Sequence, residues 1–258
     1  MKVVILAGGK GTRISEESHL KPKPMIEIGA MPILWHIMKI YSHYGYNDFI
    51  ICAGYKQECI KEFFANYALR HSDVTFDFLT KGLINIHSDS SEPWRVTIVD
   101  TGYETMTGGR LKRVQKYIGE ESFMLTYGDG VANVNINELV HYHKNRGKCA
   151  TITSIQPEGR FGIINFSPLD DILSFREKDK EDSGWINGGF MVLEPSIFKY
   201  INGDETIFEK HVLEKVAHDG QLVGYRHHGF WQCMDTLRDK EKLETLWASG
   251  SAPWKTWE

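Results

Sequence analysis

Cysteine, basic charge and long apolar runs are all scarce in this chain, and each shortage removes a class of protein. The four cysteines, Cys52, Cys59, Cys149 and Cys233, lie far apart and none belongs to a Cys-x-x-Cys pair. That spacing argues against both a zinc site and a disulfide framework and leaves free thiols as the expectation. No apolar run approaches the ~18 residues of a membrane-spanning helix, and the first apolar stretch meets a glycine loop too early for a signal peptide. No membrane partner is expected, and the cytosol is the expected compartment. The formal net charge is −4, with no basic block, which argues against non-specific nucleic-acid binding and makes any anion site a local one. Two well-known phosphate loops are missing too. No window supplies Gly, four residues, then Gly-Lys-Ser/Thr, and Ile14 stands where a dinucleotide fingerprint needs its third glycine.

What is present begins at the first residue. Met1 to Ala7 is an apolar, β-branched run that reads as a buried strand, and it feeds directly into Gly8-Gly9-Lys10-Gly11-Thr12-Arg13. Glycines let the main chain wrap tightly and bring its N–H groups against an anion such as a triphosphate. Arg13, beyond the turn, is placed to add a charge-assisted fork. Lys21-Pro22-Lys23-Pro24 follows, and its prolines are expected to hold an extended backbone around Lys23, with the ammonium over the same phosphates.

With 258 residues, 41% hydrophobic and 25% charged, the chain suits one large soluble domain. Its first 150 residues, with an insertion around 70–93, and residues 151–258 are expected to form the two halves of that domain. Ile33, Leu34, Ile37, Met38, Tyr41 and Tyr44 recur at helical spacing, and His36 beside them reads as structural. The alternation of strands and amphipathic helices predicts an α/β fold: a doubly wound, mostly parallel, Rossmann-like mixed sheet with helices on both faces. A small antiparallel region and an exposed insertion complete it. Within the insertion, Lys81-Gly82 and the polar run Ser88 to Pro93 read as an exposed hairpin, with Asp89-Ser90-Ser91-Glu92 expected to be a solvated tip.

Thr105-Met106-Thr107-Gly108-Gly109-Arg110 is a second glycine-containing turn opening a helix, either facing a phosphate or base edge or serving as an ordinary capped start. Asp129 in Gly128-Asp129-Gly130 ends a buried strand, where Mg²⁺ is the natural partner of a carboxylate beside a triphosphate. Glu177-Lys178 and Asn187-Gly188-Gly189 bracket one loop, offering an acceptor for sugar hydroxyls and a cation for a phosphate. Adjacent His227 and His228 point to opposite faces of a strand and are discounted as a metal pair. Asp235 precedes a helix beginning at Thr236 and is either its N-cap or a second carboxylate for the ion held by Asp129. The aromatic tail, Trp254 to Trp257, is expected to pack on its own domain or on a neighbouring subunit.

The glycine loop, Lys-Pro-Lys-Pro, Thr-Gly-Gly-Arg, Tyr-Gly-Asp-Gly, Glu-Lys, Asn-Gly-Gly-Phe and Phe-Trp-x-x-Met-Asp-Thr together span nearly the whole chain. In that combination it resembles the sugar-nucleotide pyrophosphorylases, nucleotidyltransferases that join an NTP to a sugar 1-phosphate, and within them the branch using CTP and α-D-glucose 1-phosphate. The resemblance implies Mg²⁺ as cofactor, CDP-glucose and pyrophosphate as products, a role in making dideoxyhexoses for surface polysaccharide (O-antigen), and a homo-oligomer, suggested to be a hexamer. It carries nucleotide binding onto Leu6, Ala7, Gly8, Gly9, Lys10, Gly11, Thr12, Arg13, Lys23, Thr105, Arg110 and Gly128. Sugar-phosphate binding falls on Glu177, Lys178, Asn187 and Gly188, metal binding on Asp129 and Asp235, and catalysis on Arg13, Lys23, Asp129 and Asp235. Three positions depart from the family pattern. Asp179 and Cys233 stand where prolines are usual, and Lys10 where an apolar residue is common. The rival readings are the same chemistry with another base (dTTP or UTP) or acceptor, and a non-catalytic nucleotide-sugar binding subunit. A glycosyltransferase with an Asp-x-Asp metal motif is disfavoured, because the second residue after Asp129 is Val131.

Overall fold

Side chains along a strand alternate between faces, and β1 (Val3–Leu6) sends Val3 and Ile5 into one core and Val4 and Leu6 into another. A strand buried on both sides belongs in the middle of a sheet with helices above and below. The computed structural model shows that arrangement. It describes residues 1–11, 14, 19–80, 82–157, 163–166, 172–176 and 184–257, the strands at 163–166 and 172–176 by backbone alone.

From β1 the chain passes through α1 (Ile33–His43), β2 (Asp48–Ala53) and α2 (Gln57–Ala65) to the hairpin β3 (Ser72–Asp77) and β4 (Leu83–Asp89). Then come β5 (Arg95–Asp100), α3 (Thr107–Arg113), β6 (Phe123–Tyr127), β7 (Gly130–Ala132), α4 (Ile136–Arg146) and β8 (Ala150–Ile155). The short ladder of β9 (Ile163–Phe166) and β10 (Ile172–Arg176) leads to β11 (Ile186–Leu193). The chain closes with α5 (Glu214–His218), β12 (Leu222–His227), β13 (Trp231–Cys233) and α6 (Leu237–Ala248). The central sheet has seven strands in the order β12-β8-β11-β6-β1-β2-β5. Only β11 runs against its neighbours β8 and β6; the other pairings are parallel. This is the mostly parallel mixed sheet that the alternation of strands and helices predicts. Helices α1, α2, α4 and α6 cover one face; α3 and the segments at Pro195–Tyr200 and Phe208–Leu213 cover the other. Among the described residues no helix is long and apolar enough to cross a membrane, and all four cysteines are free.

Two local expectations need correction. The solvated tip is not Asp89 to Glu92: that run joins β4 to β5, and Glu92 pairs with Lys39 at 3.2 Å. The exposed hairpin that Lys81-Gly82 marks in the sequence is present as β3–β4, and its most exposed apolar side chains, Phe78 at 85% and Leu79 at 99%, lie between the two strands. Exposed aromatic and aliphatic residues invert the usual rule that polar runs mark turns. Lys23 does not sit in extended backbone either. Lys23–Met25 is a single 3₁₀ turn entered from extended Pro22, with Met25 N–H donating to Pro22 O at 2.7 Å. Pro24 is tolerated there because the first turn of a helix needs no N–H from it.

The aromatic tail packs on its own domain. Trp254 is fully buried, stacked on Phe230 at 5.6 Å, and lies 6.1 Å from the His36 ring. His36 is structural: Nε2 lies 2.9 Å from Ile28 O, and Trp254 Nε1 donates to Nδ1 at 3.4 Å. Only the neutral Nε2–H tautomer satisfies both contacts. Burial brings the His36 pKa down to about 4, so between about pH 6.5 and pH 4 the unfolded chain takes up a proton that the folded one refuses. Stability should therefore fall as pH drops through that window, by about 3 kcal/mol from this residue. Urea titrations of the natural chain and of His36→Asn across pH 4–7 check it; an equal pH slope in both would exclude His36 as the source.

Candidate active site

The glycine loop is held from below. Ala7 N–H donates to Cys52 O at 3.0 Å and Tyr55 N–H to Gly8 O at 3.2 Å, which ties the loop to the end of β2. Behind it lies Arg110 of α3, only 5% exposed. Its guanidinium donates to Gly102 O at 2.7 Å, to Thr101 Oγ1 at 2.8 Å and to Tyr103 O at 3.2 Å. A Cβ on Gly8 would lie 2.2 Å from Arg110 Nη1, so the residue before the phosphate turn has to be glycine for the arginine to fit. No carboxylate among the described residues pairs with Arg110 at ion-pair distance, and burial lowers its pKa. A buried cation with only neutral acceptors, on the wall of a cavity, is an invitation to an anion.

Across the cavity two distant segments meet. β7 pairs with β13 so that Gly130 stands opposite Cys233, and Met234 N–H donates to Asp129 O at 2.8 Å. This ladder sets Asp129 beside Asp235. Asp235 does not cap α6: Thr236 does, in a capping box with Asp239, which leaves the Asp235 carboxylate for the site. Lys23 Nζ bridges the two acids, 2.6 Å from Asp129 Oδ2 and 2.6 Å from Asp235 Oδ1. Burial works against that ammonium, but the two carboxylates outweigh it and raise its pKa. Cys233 Sγ donates to Asp235 Oδ2 at 3.6 Å, and burial next to the acids pushes the thiol up to about 12, so it stays protonated.

Between glycine loop and acid pair lies a cavity of about 390 Å³. The structure brings Leu6, Ala7, Gly8, Gly9, Gly11, Lys23, Thr105, Arg110, Gly128 and Asp129 together on its walls. Lys10 turns aside: it pairs with Glu104 at 2.8 Å and lies 4.5 Å above the Tyr103 ring, strapping the glycine loop to the loop before α3. Gly128 serves close packing, since a Cβ there would meet Pro24 Cγ at 2.9 Å and Leu6 O at 3.0 Å. Asn187 and Gly188 lie beyond Tyr127. Asn187 Nδ2 donates to Tyr127 Oη at 3.3 Å, and Gly188 O accepts Trp231 Nε1 at 2.7 Å. Thr12, Arg13, Glu177, Lys178 and Asp179 lie outside the described residues.

The sequence reading passed over Pro24, Met106, Thr107 and Tyr127, which also line the cavity; each sits inside a motif whose neighbour drew the attention. Tyr127 Oη donates to Glu209 Oε1 at 2.5 Å, and Thr107 Oγ1 to Glu209 Oε2 at 2.9 Å. Glu209 belongs to a π-helical segment, Phe208–Leu213. Nothing local in the sequence marked it, because its partners are 82 and 102 residues away.

A mostly parallel sheet whose first strand runs into a glycine loop, across a cavity from Asp129, to which Lys23 ties Asp235, defines a nucleotidyltransferase. The nucleotidyl transferase family model matches residues 2–239, and the chain belongs to that family. It is 55% identical over 259 residues to the glucose-1-phosphate cytidylyltransferase of Salmonella typhi, covering all of both chains. It is also 45% identical, again over both full lengths, to the probable glucose-1-phosphate cytidylyltransferase of Bacillus subtilis. Within the nucleotidyl transferases the chain belongs to the glucose-1-phosphate cytidylyltransferases. Among solved structures, HddC from Yersinia pseudotuberculosis superimposes with a TM-score of 0.70 at 22% identity, over 95% of this chain and 99% of that one, a likeness of fold.

Proposed function

We propose that this enzyme transfers the cytidylyl group of CTP to α-D-glucose 1-phosphate, giving CDP-glucose and pyrophosphate. The observation that carries the reading is the convergence of Asp129 and Asp235 on one cation at the edge of a cavity walled by the glycine loop and Arg110. The acceptor phosphate is already largely dianionic at neutral pH, its second pKa being ~6 as for other phosphomonoesters, so no general base is needed. What remains is to position two phosphates in line and to meet their charge. The glycine loop offers main-chain N–H groups to the triphosphate, and Arg110 adds a buried positive charge behind them. Arg13 holds the leaving pyrophosphate, Lys23 meets charge at the reacting phosphate, and Lys178 with Glu177 orients the sugar phosphate.

The pair of carboxylates fits a hard divalent cation. Both already point an oxygen at a single positive centre, and Mg²⁺ is commonly held by one or two carboxylates with substrate phosphates and water completing its shell. No larger cluster of three or more His, Cys, Asp or Glu with metal-site spacing exists among the described residues. When bound by Asp129 and Asp235, Mg²⁺ supplies neutralisation of the phosphate charge.

Pyrophosphate release with Mg²⁺ and glucose 1-phosphate, compared for CTP, UTP, dTTP and ATP, tests the reading. Release with CTP alone is expected. Release with another nucleotide would move the base assignment, and release with none would mean a binding subunit or a different acceptor.

A homo-oligomer is part of the same proposal. A two-stranded hairpin is marginal by itself in water, and β3–β4 exposes Phe76, Phe78, Leu79, Leu83, Ile84 and Ile86. A second copy of the chain covers this surface. Phe78→Asp combined with Leu79→Asp should shift the mass measured by light scattering toward the monomer, with CTP turnover by the shared fold as the control; an unchanged mass would remove the hairpin from the interface.

A further inference from the structure

We propose that Lys23 is a built-in counter-cation, which keeps the Asp129 and Asp235 pair closed to divalent metal in the free protein and yields it when nucleotide phosphate arrives to take the ammonium. The inference rests on the reading of these two aspartates as the metal site. Its physical basis is the bridge itself. Lys23 Nζ lies 2.6 Å from an oxygen of each carboxylate, a contact of charge-assisted hydrogen-bond length on both sides. An ammonium touching both acids occupies the face of each that a shared metal would use, and two cations cannot crowd there without repulsion. The side chain is well placed for exchange. Its backbone is fixed in the buried 3₁₀ turn between Pro22 and Pro24, while four methylenes leave the ammonium free to swing. Lys23 and Asp129 both face the cavity that the glycine loop walls, so a phosphate bound there comes within the reach of Nζ.

One ammonium cannot match the charge of both carboxylates that it touches. With a divalent ion on the acids, the ammonium would be available to the phosphate. Each binding event therefore removes an obstacle to the other, which is positive coupling between metal and nucleotide. A preformed two-carboxylate site without the lysine would bind metal by itself, with no such dependence.

The experiment is a titration of Mn²⁺ alone into the full, nucleotide-free chain, with free Mn²⁺ read by electron paramagnetic resonance. Lys23→Met should bind Mn²⁺ at least about tenfold more tightly than the natural chain, as expected when two charge-assisted contacts no longer have to be broken. Lys23→Met/Asp129→Asn should lose that gain. Lys21→Met removes an equal charge two residues away, from a lysine paired with Glu27 at 2.8 Å, and should change the affinity by no more than about twofold, as exposed and screened charges do. If Lys23→Met binds no tighter than the natural chain, or Lys21→Met gains as much, the guarding role is wrong. If the double variant binds as tightly as the single one, the aspartates are not the ligands, and the reading beneath the proposal fails instead. Lys23→Gln repeats the titration should the methionine variant not fold, and the rise in Tm on adding Mn²⁺ gives an independent measure in every folded variant.

Discussion

Asp129→Asn should lower the rate of pyrophosphate release by about 10²–10³-fold while leaving the chain folded, the usual cost of removing one charge-stabilising contact in a preorganised site. The substitution keeps the shape of the side chain and removes its charge. Folding should survive because Lys23 keeps Asp235 as a partner at 2.6 Å, and because the main-chain contact from Met234 N–H to Asp129 O does not depend on the side chain. The loss of stability should be about 1.5–3 kcal/mol, that of one hydrogen bond to a charged group. A kcat near that of the natural chain, at saturating Mg²⁺ and both substrates, would remove Asp129 from the reaction. A large loss of Tm would instead show that its negative charge is needed to hold the lysine, and the rate effect could no longer be assigned to chemistry.

Asp129 also marks the limit of what the sequence discloses. That it ends a buried strand between two glycines is visible in the chain, since apolar β-branched runs and glycines are local signals. The first strand of the central sheet and the glycine loop are legible for the same reason. Contacts between distant segments are not. Lys23 meets Asp129 across 106 positions and Asp235 across 212, and neither spacing has any periodicity to read. Local signals therefore place the lysine on phosphates alone, whereas in the free protein its ammonium bridges the two acids. Asp235 has two local explanations, and the capping box of Thr236 and Asp239 removes the N-cap one. The Lys81-Gly82 hairpin is legible as a local turn signal, whereas the polar run Asp89 to Glu92 resembles a tip and is not one, because Glu92 pairs with Lys39, far off in the chain. Glu209 was invisible because a π-helical segment follows neither of the periods by which helices and strands are recognised.

Arg110→Met should be the most destabilising single change at the site and should damage nucleotide binding as well. Three segments meet at this guanidinium: the glycine loop, the end of β2 and the loop before α3. A Cβ on Gly54 would come within 2.5 Å of Arg110 Nη1 and within 2.8 Å of both Gly8 O and Gly102 O, so two glycines clear the space that the arginine fills. With methionine, the buried Thr101 hydroxyl and the part-buried Gly102 and Tyr103 carbonyls lose their donor. Hydrogen bonds to charged groups contribute about 1.5–3 kcal/mol each, offset in part by the cost of burying the charge, so a net loss of about 2–4 kcal/mol is expected. The glycine loop would keep its main-chain ties to β2 but lose the guanidinium packed against Gly8, and the KM for CTP should rise by more than about tenfold, a differential of about 1.4 kcal/mol. Arg110→Lys should rescue little of this, because one ammonium cannot serve acceptors that the planar fork reaches together. Urea unfolding and the KM for CTP, measured on both variants, decide the matter. Full stability with a raised KM would make Arg110 a contact of the nucleotide alone, whereas lost stability with an unchanged KM would make it a strut with no part in binding.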